Sequence, residues 1–498
     1  MSVIRNCMLT MALGAMAWMP CHAQTVEILA ADQISRDPSI TEAQRLIGRV
    51  KLGHEDAVMT CDSAWRFDNG DFEVFGDVRL QQPPSTVMTC KYIKLNSEDD
   101  WALARGDVQI TDDEGSLEAP SLLYSVKGKR ARYHEGGVMR QGGWTVTSQT
   151  GRFVSESKVM ELGGEVLAVQ QDDSLRSDSM HWHHGADRYV FLASTCWTSE
   201  NGGFCCERGD IVMAEDEASR RPSGWLAGEV FLEDSTGRLH GDSIEWRRGA
   251  SEMWGNVRIE DFEGGAIVLG SHALRNEVDS VDQVHGAPAR LRQIESADTL
   301  YLQALHMTLS DDLLVAHDSV VMEQTDMVGQ GDSLVWQGSE DQIRLFGNPM
   351  MWNGPDQLSG DSLTLLLDDQ APRKMELRGH ALVLSPANDT LTHSIEGRTL
   401  DAHFVEGELN SVDVLGNGVL VHFEVPEDST ETVRINRAQC AEITMHFESR
   451  KLVGIRLKNN PQGKIAPFQT SEHDPGPALH RKPTVDKSEF PSISRAAD

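Results

Sequence analysis

Positive charge is the first thing this chain lacks. Its 498 residues carry 45 Lys and Arg against 77 Asp and Glu, a formal net charge of −32. Such an acidic surface repels nucleic acid and disfavours broad docking on an anionic membrane face. Long apolar runs are also scarce. The early run from Met8 to Met19 is too short to cross a bilayer as a helix, and no later segment is long and apolar enough. No long segment keeps the 3.6-residue period of an amphipathic helix. Nucleophile elbows, phosphate-binding glycine loops and zinc-protease motifs are missing as well. No catalytic residue, cofactor, metal site or nucleic-acid partner is therefore expected.

The start of the chain reads as an export signal over residues 1–23. Arg5 precedes the apolar run, and Cys21-His22-Ala23 places a small residue before Gln24. Cleavage there leaves Cys61, Cys90, Cys196, Cys205, Cys206 and Cys440. An even count in an exported chain permits disulfides. Cys61 and Cys90 hold like places in successive repeats, and Cys196 has Cys205 and Cys206 within a local loop. Buried free thiols are the alternative. A zinc site is disfavoured because Cys205-Cys206 lacks C-x-x-C spacing.

What the chain does have is a repeated phrase, glycine, any residue, valine. It stands at Gly48, Gly76, Gly106, Gly136, Gly164, Gly228 and Gly255, with weaker copies at Gly286, Val320, Gly347, Gly379 and Gly416. Neighbouring copies lie roughly thirty residues apart, a period that signals an array of like units. Between them runs a second phrase, Asp-Ser followed by alternating apolar residues. Asp62-Ser63, Asp178-Ser179, Asp242-Ser243, Asp332-Ser333 and Asp361-Ser362 carry it. Alternation of Val78 with Leu80, or Ile244 with Trp246, has the period of a strand with one buried face.

Each repeat thus reads as two extended segments joined by polar turns such as Asp68-Asn69-Gly70-Asp71. The internal glycine marks a bend, and the Asp-Ser pair bends the partner segment by bonding to nearby backbone. The expected fold is all-β: an elongated twisted jellyroll of about thirteen repeats, with bent antiparallel strands in two facing sheets. The array is expected over residues 24–460, interrupted at Glu200–Arg221. Residues 461–498, rich in proline, read as a disordered tail.

The segments Arg45–Val50, Cys61–Trp65 and Phe75–Val78 resemble the start of OstA-like proteins, relatives of the periplasmic lipopolysaccharide-transport protein A. The length resembles the long members from Bacteroidetes. The resemblance implies an open β-jellyroll (a β-taco) with an apolar groove. It also implies a periplasmic location, lipopolysaccharide or another acylated envelope lipid as cargo, and other jellyroll-fold components stacked end to end as partners. Facing sheets that do not close leave inward side chains for acyl chains. Candidate lining residues are Val78, Leu80, Val108, Ile110, Val166, Ile244, Trp246, Val257, Ile259, Leu334 and Trp336; plain core packing is the other reading. Trp182, Trp246 and Trp336 are candidates for a ladder along one face. His181-Trp182-His183-His184 has no carboxylate or cysteine spaced to complete a metal site. The recurrent aspartates suit bend formation better than a catalytic carboxylate pair.

The function expected is a non-catalytic lipid bridge serving the outer membrane. The alternatives are an exported structural or adhesive β-solenoid that binds proteins, and a polysaccharide-acting parallel β-helix enzyme.

Overall fold

The computed structural model describes residues 26–490 apart from 40–41, 55, 84, 97–100, 114, 126–129, 155–156, 184–185, 214–222, 248, 277–279, 295–298, 325–326, 369–370, 406–407, 427–431, 449–450, 469–476 and 489. The expected export signal lies outside the described residues. Among those described, no α-helix forms; the chain is thirty-six β-strands and a 3₁₀ turn at Gly338–Glu340. Eight pairs of these strands are the two halves of one bent strand. The count is therefore twenty-eight bent strands, or fourteen two-strand repeats. Successive strands pair antiparallel, as in Gln44–His54 with Ala57–Arg66 and Phe72–Gln82 with Thr86–Leu95. This is a β-jellyroll of bent antiparallel strands, and the antiparallel ladder removes the parallel β-helix from consideration.

The bend has a chemical cause. In Phe72–Gln82 the register shifts between Phe75 and Val78. Gly76 sits there at φ +96°, and a Cβ on it would collide with the Asp62 carboxylate of the preceding strand. Asp62 Oδ2 accepts the backbone N–H of Asp77 at 3.2 Å. Gly255 at φ +69° likewise lies under the carboxylate of Asp242, whose Oδ1 accepts from Asn256 Nδ2 at 3.0 Å. So the aspartate of one phrase caps the bend of the next, and only glycine tolerates both the left-handed backbone and the contact. The two halves of each strand then turn their apolar faces toward one core.

The chain forms two compact units, one ending at Gln170 and one starting at Gln171. In the first, a single apolar cluster takes residues from both halves of each strand: Phe72 and Val74 before the bend, Val78 after it. Each fully buried side chain of this size contributes about 1.5–3 kcal/mol. Below, the halves that hold Phe72–Phe75 and their paired equivalents are the first arm, and those that hold Val78–Gln82 are the second arm. Cys61 and Cys90 are buried free thiols here, not bridged to each other. Burial pushes them up to about 12 and about 11.

In the second unit Cys196 and Cys205 form a disulfide between directly paired strands, leaving Cys206 and Cys440 as buried thiols. The expected interruption at Glu200–Arg221 instead begins with a regular rung. Gly202–Cys206 pairs with Thr195–Ser199, and Arg208–Val212 pairs with Arg188–Phe191. Glu207 stands in for the missing aspartate, its carboxylate lying where a Cβ of Gly228 would go.

The Pro-rich end differs from the disordered tail expected. Gln462–Pro467 is a strand paired with Arg434–Gln439. Further on, Val485 is buried against Val321, Val328 and Trp352. His480 N–H donates to Gln357 Oε1 at 2.7 Å, and Lys487 Nζ reaches Glu323 Oε1 at 2.7 Å. Phe490 packs on Tyr301, with ring centroids 5.7 Å apart. Proline removes strand hydrogen bonds but does not stop an extended segment from docking through its apolar side chains.

Candidate functional site

In the first unit the register aligns apolar side chains into two columns. On the second arm Met59 pairs with Leu80, Leu80 with Met88, Met88 with Ile110, Ile110 with Leu117, and Leu117 with Met139. On the first arm Ala102 pairs with Tyr124, Tyr124 with Ala131, Ala131 with Phe153, and Phe153 with Met160. Toward the end of the unit the columns part and leave a cleft of about 280 Å³. Ile110, Leu117 and Met139 form one wall, and Tyr124, Ala131 and Phe153 form the other. A narrower extension runs on to Leu80 and Met88.

Polar groups gather at the mouth. Tyr124 Oη donates to Gln82 Oε1 at 3.2 Å, joining the two walls. Asp112 and Arg140 line the rim, and Arg140 is paired with Glu118 at 2.8 Å. The cleft therefore suits an apolar chain with its polar end outside. Its volume falls just below the roughly 300–1,000 Å³ of ordinary small-molecule pockets.

The candidate lining residues separate into two groups. Val78, Val108, Val166, Ile244, Val257 and Leu334 are shut in the core at 2% exposure or less. Leu80, Ile110, Trp246, Ile259 and Trp336 remain partly exposed. Of the eleven, Leu80 and Ile110 border the cleft described above. The repeated phrase marks the bend, and a residue beside the bend is buried by the fold itself. The wall of the cleft lies further out on the arms, at Leu117, Tyr124, Met139 and Phe153. Alternation within those strands was the available signal, but it does not say where the arms separate.

The tryptophan ladder does not form. Trp182 stacks on Tyr189 at 6.0 Å, Trp246 is paired with Gly224 and Ser251, and Trp336 is paired with Leu314 and Ile343. His181 and His183 share the strand Asp173–His183, while His184 lies outside the described residues. His183 is held below its ordinary value by burial and by Arg188. Asp62, Asp242, Asp332 and Asp361 sit singly, each over the bend glycine of a neighbouring strand, rather than together as a catalytic pair.

Residues 23–178 match the family described as OstA-like protein, a stretch that spans the whole described part of the first unit. Among solved structures the chain is similar to LptH, the LptA-homologous periplasmic component of the conserved lipopolysaccharide transport device from Pseudomonas aeruginosa. Identity is 18% over 22% of this chain and 82% of that one, with a TM-score of 0.21. No curated protein matches the chain.

Proposed function

We propose that this chain, OstA-like over residues 23–178, is a periplasmic, non-catalytic lipid-binding bridge. It takes the acyl part of lipopolysaccharide or a similar envelope lipid between its arms, on the way to the outer membrane. The observation that carries this reading is the cleft lined by Ile110, Leu117, Tyr124 and Phe153, inside the region that matches the family. Each methylene moved from water into such a cleft contributes about 0.8 kcal/mol. One acyl chain is thus held without specific chemistry, and a cargo held this way can be passed on. The net charge of −32 disfavours close contact with an acidic headgroup, so sugar and phosphate are placed outside the cleft.

The test is a photo-reactive residue placed at Ile110 or Leu117, with Gln109, an exposed neighbour of opposite facing, as control. Lipid adducts identified by mass spectrometry at 110 and 117 but not at 109 support the bridge. Protein adducts alone favour the adhesive array, and no adduct at either inward position overturns the lipid reading.

A further inference from the structure

In the second unit, the residue beside each bend, before it in one strand and after it in the next, falls in one register across the strands. The directly paired residues are Trp254, His272, His285, His306, His317 and Ser333. Four successive strands thus present imidazole at the same place. The rings lie 5.5, 4.8 and 4.8 Å apart along the series. His285 Nδ1 and His306 Nδ1 are 2.6 Å apart, so one carries the proton and the other accepts it. When His306 Nδ1 donates, its Nε2 is left with a lone pair. That Nε2 is 3.6 Å from Asp318 Oδ2, which is itself 2.9 Å from His317 Nδ1. One donor atom from each of His306, His317 and Asp318 lies within 4.8 Å of the other two.

A second observation is independent of the rings. The bend at Asp318-Ser319 uses φ of +67° and +60°. At the matching place other bends use Gly255, Gly347, Gly379 and Gly416. Glycine adopts this backbone freely; aspartate tolerates it better than most side chains but at a higher cost than glycine. Strain retained at one copy of a repeat, where the side chain reaches two imidazoles, points to a use for the carboxylate.

We propose that His306 Nε2, His317 Nδ1 and Asp318 Oδ2 form a binding site for a borderline divalent transition metal, zinc(II) foremost, with His285 holding His306 from behind. Two imidazoles and one carboxylate suit zinc, which accepts three protein ligands plus water; calcium and magnesium prefer all-oxygen sites. The metal replaces the proton that His317 and Asp318 share. The His285–His306 hydrogen bond fixes tautomer and ring orientation, the usual role of a partner behind a ligating histidine. The site departs from the expectation of no metal, which had weighed the run His181–His184 and the cysteines around Cys205-Cys206. It is independent of the proposed lipid cleft.

The test uses the full exported chain, dialysed against chelator and titrated with zinc(II) by calorimetry at pH 7.5. Cobalt(II) absorption serves as a spectroscopic reporter. Asp318→Gly and His317→Ser install residues that other bends already carry, so the fold is kept. The expected result is one zinc per chain, weakened at least tenfold by either substitution, with the cobalt d–d bands lost. His272→Ser, two strands away from His306, leaves the affinity unchanged. Asp318→Gly also raises the melting temperature of the metal-free chain. Absence of stoichiometric uptake, or uptake that both Asp318→Gly and His317→Ser leave intact, overturns the proposal.

Discussion

At matched register the two units fill their interiors differently. In the first unit Leu80, Ile110 and Leu117 stay partly exposed on the second arm. In the second unit the same column is partly exposed at Leu232, Leu239 and Ile259 and becomes buried to 1% exposure or less at Leu291, Leu302, Met322 and Met351. The facing column differs too. On the first arm of the first unit it includes Ala102, Tyr124 and Ala131, whereas its counterpart in the second unit reads Trp336, Ile343, Leu365 and Met375. Small residues leave room between the arms, and large ones fill it to interior density. One backbone plan therefore yields a cleft along one stretch and a closely filled column along another, and side-chain volume contributes to the difference.

The most disruptive way to sharpen that contrast is to stop the chain after Phe468. The patch formed by Val321, Val328 and Trp352 then loses Val485 and its neighbours. The second unit is expected to lose roughly 3–5 kcal/mol and to bind a hydrophobic dye, while melting of the first unit is unchanged. A shift in the first unit instead would show that the tail does not belong to the second.

Next in size is a matched pair of substitutions. Ala402, 1% exposed, lies in the filled column between Met375 and Val412. Ala402→Leu overpacks it and costs roughly 1–3 kcal/mol. Ala131→Leu in the first unit grows into the cleft, is expected to cost under about 1 kcal/mol, and abolishes lipid capture at Ile110. Equal costs in calorimetry would break the comparison.

Reducing the Cys196–Cys205 disulfide, which closes a sequence separation of 9, is expected to remove about 2 kcal/mol from the second unit alone. Urea unfolding with and without reductant measures it, and Cys61, unreactive until the first unit opens, serves as a labelling reporter for that unit.

The smallest effect is on acidification. His393 stacks on His422 with centroids 4.4 Å apart and accepts the Phe423 N–H at 3.2 Å. Burial, then the His422 charge, pulls its value from 6.5 down to about 4. Above pH 6.5 it is neutral in folded and unfolded chains alike. Between 6.5 and about 4 the unfolded chain takes a proton that the folded one refuses, so stability falls across that window, by roughly 1–2 kcal/mol. His393→Gln is expected to flatten this part of the melting-temperature profile for the second unit.

The bent strands were legible in the sequence because glycine at a left-handed bend and alternation on either side of it are local requirements. Gly76 and Val78 announce both. The cleft was less legible: Val78 and Val108 share its strands but not its wall, since the distance between arms depends on residues such as Ala131 on the opposite strand. The histidine column was invisible for a related reason. His272, His285, His306 and His317 are unevenly spaced along the chain and become neighbours only once each hairpin sets its register. The tail misled because proline content was read as disorder, while its few apolar anchors, Val485 and Phe490, fix it in place.

That anchoring has a consequence for how the protein is made. A ladder of hairpins can zip up during synthesis, each rung closing as soon as its strands emerge. The patch around Trp352 cannot be sealed until Val485 has emerged, well over a hundred positions later. Until then a greasy face stays bare, so the newborn chain needs either rapid completion or a temporary guardian at that spot.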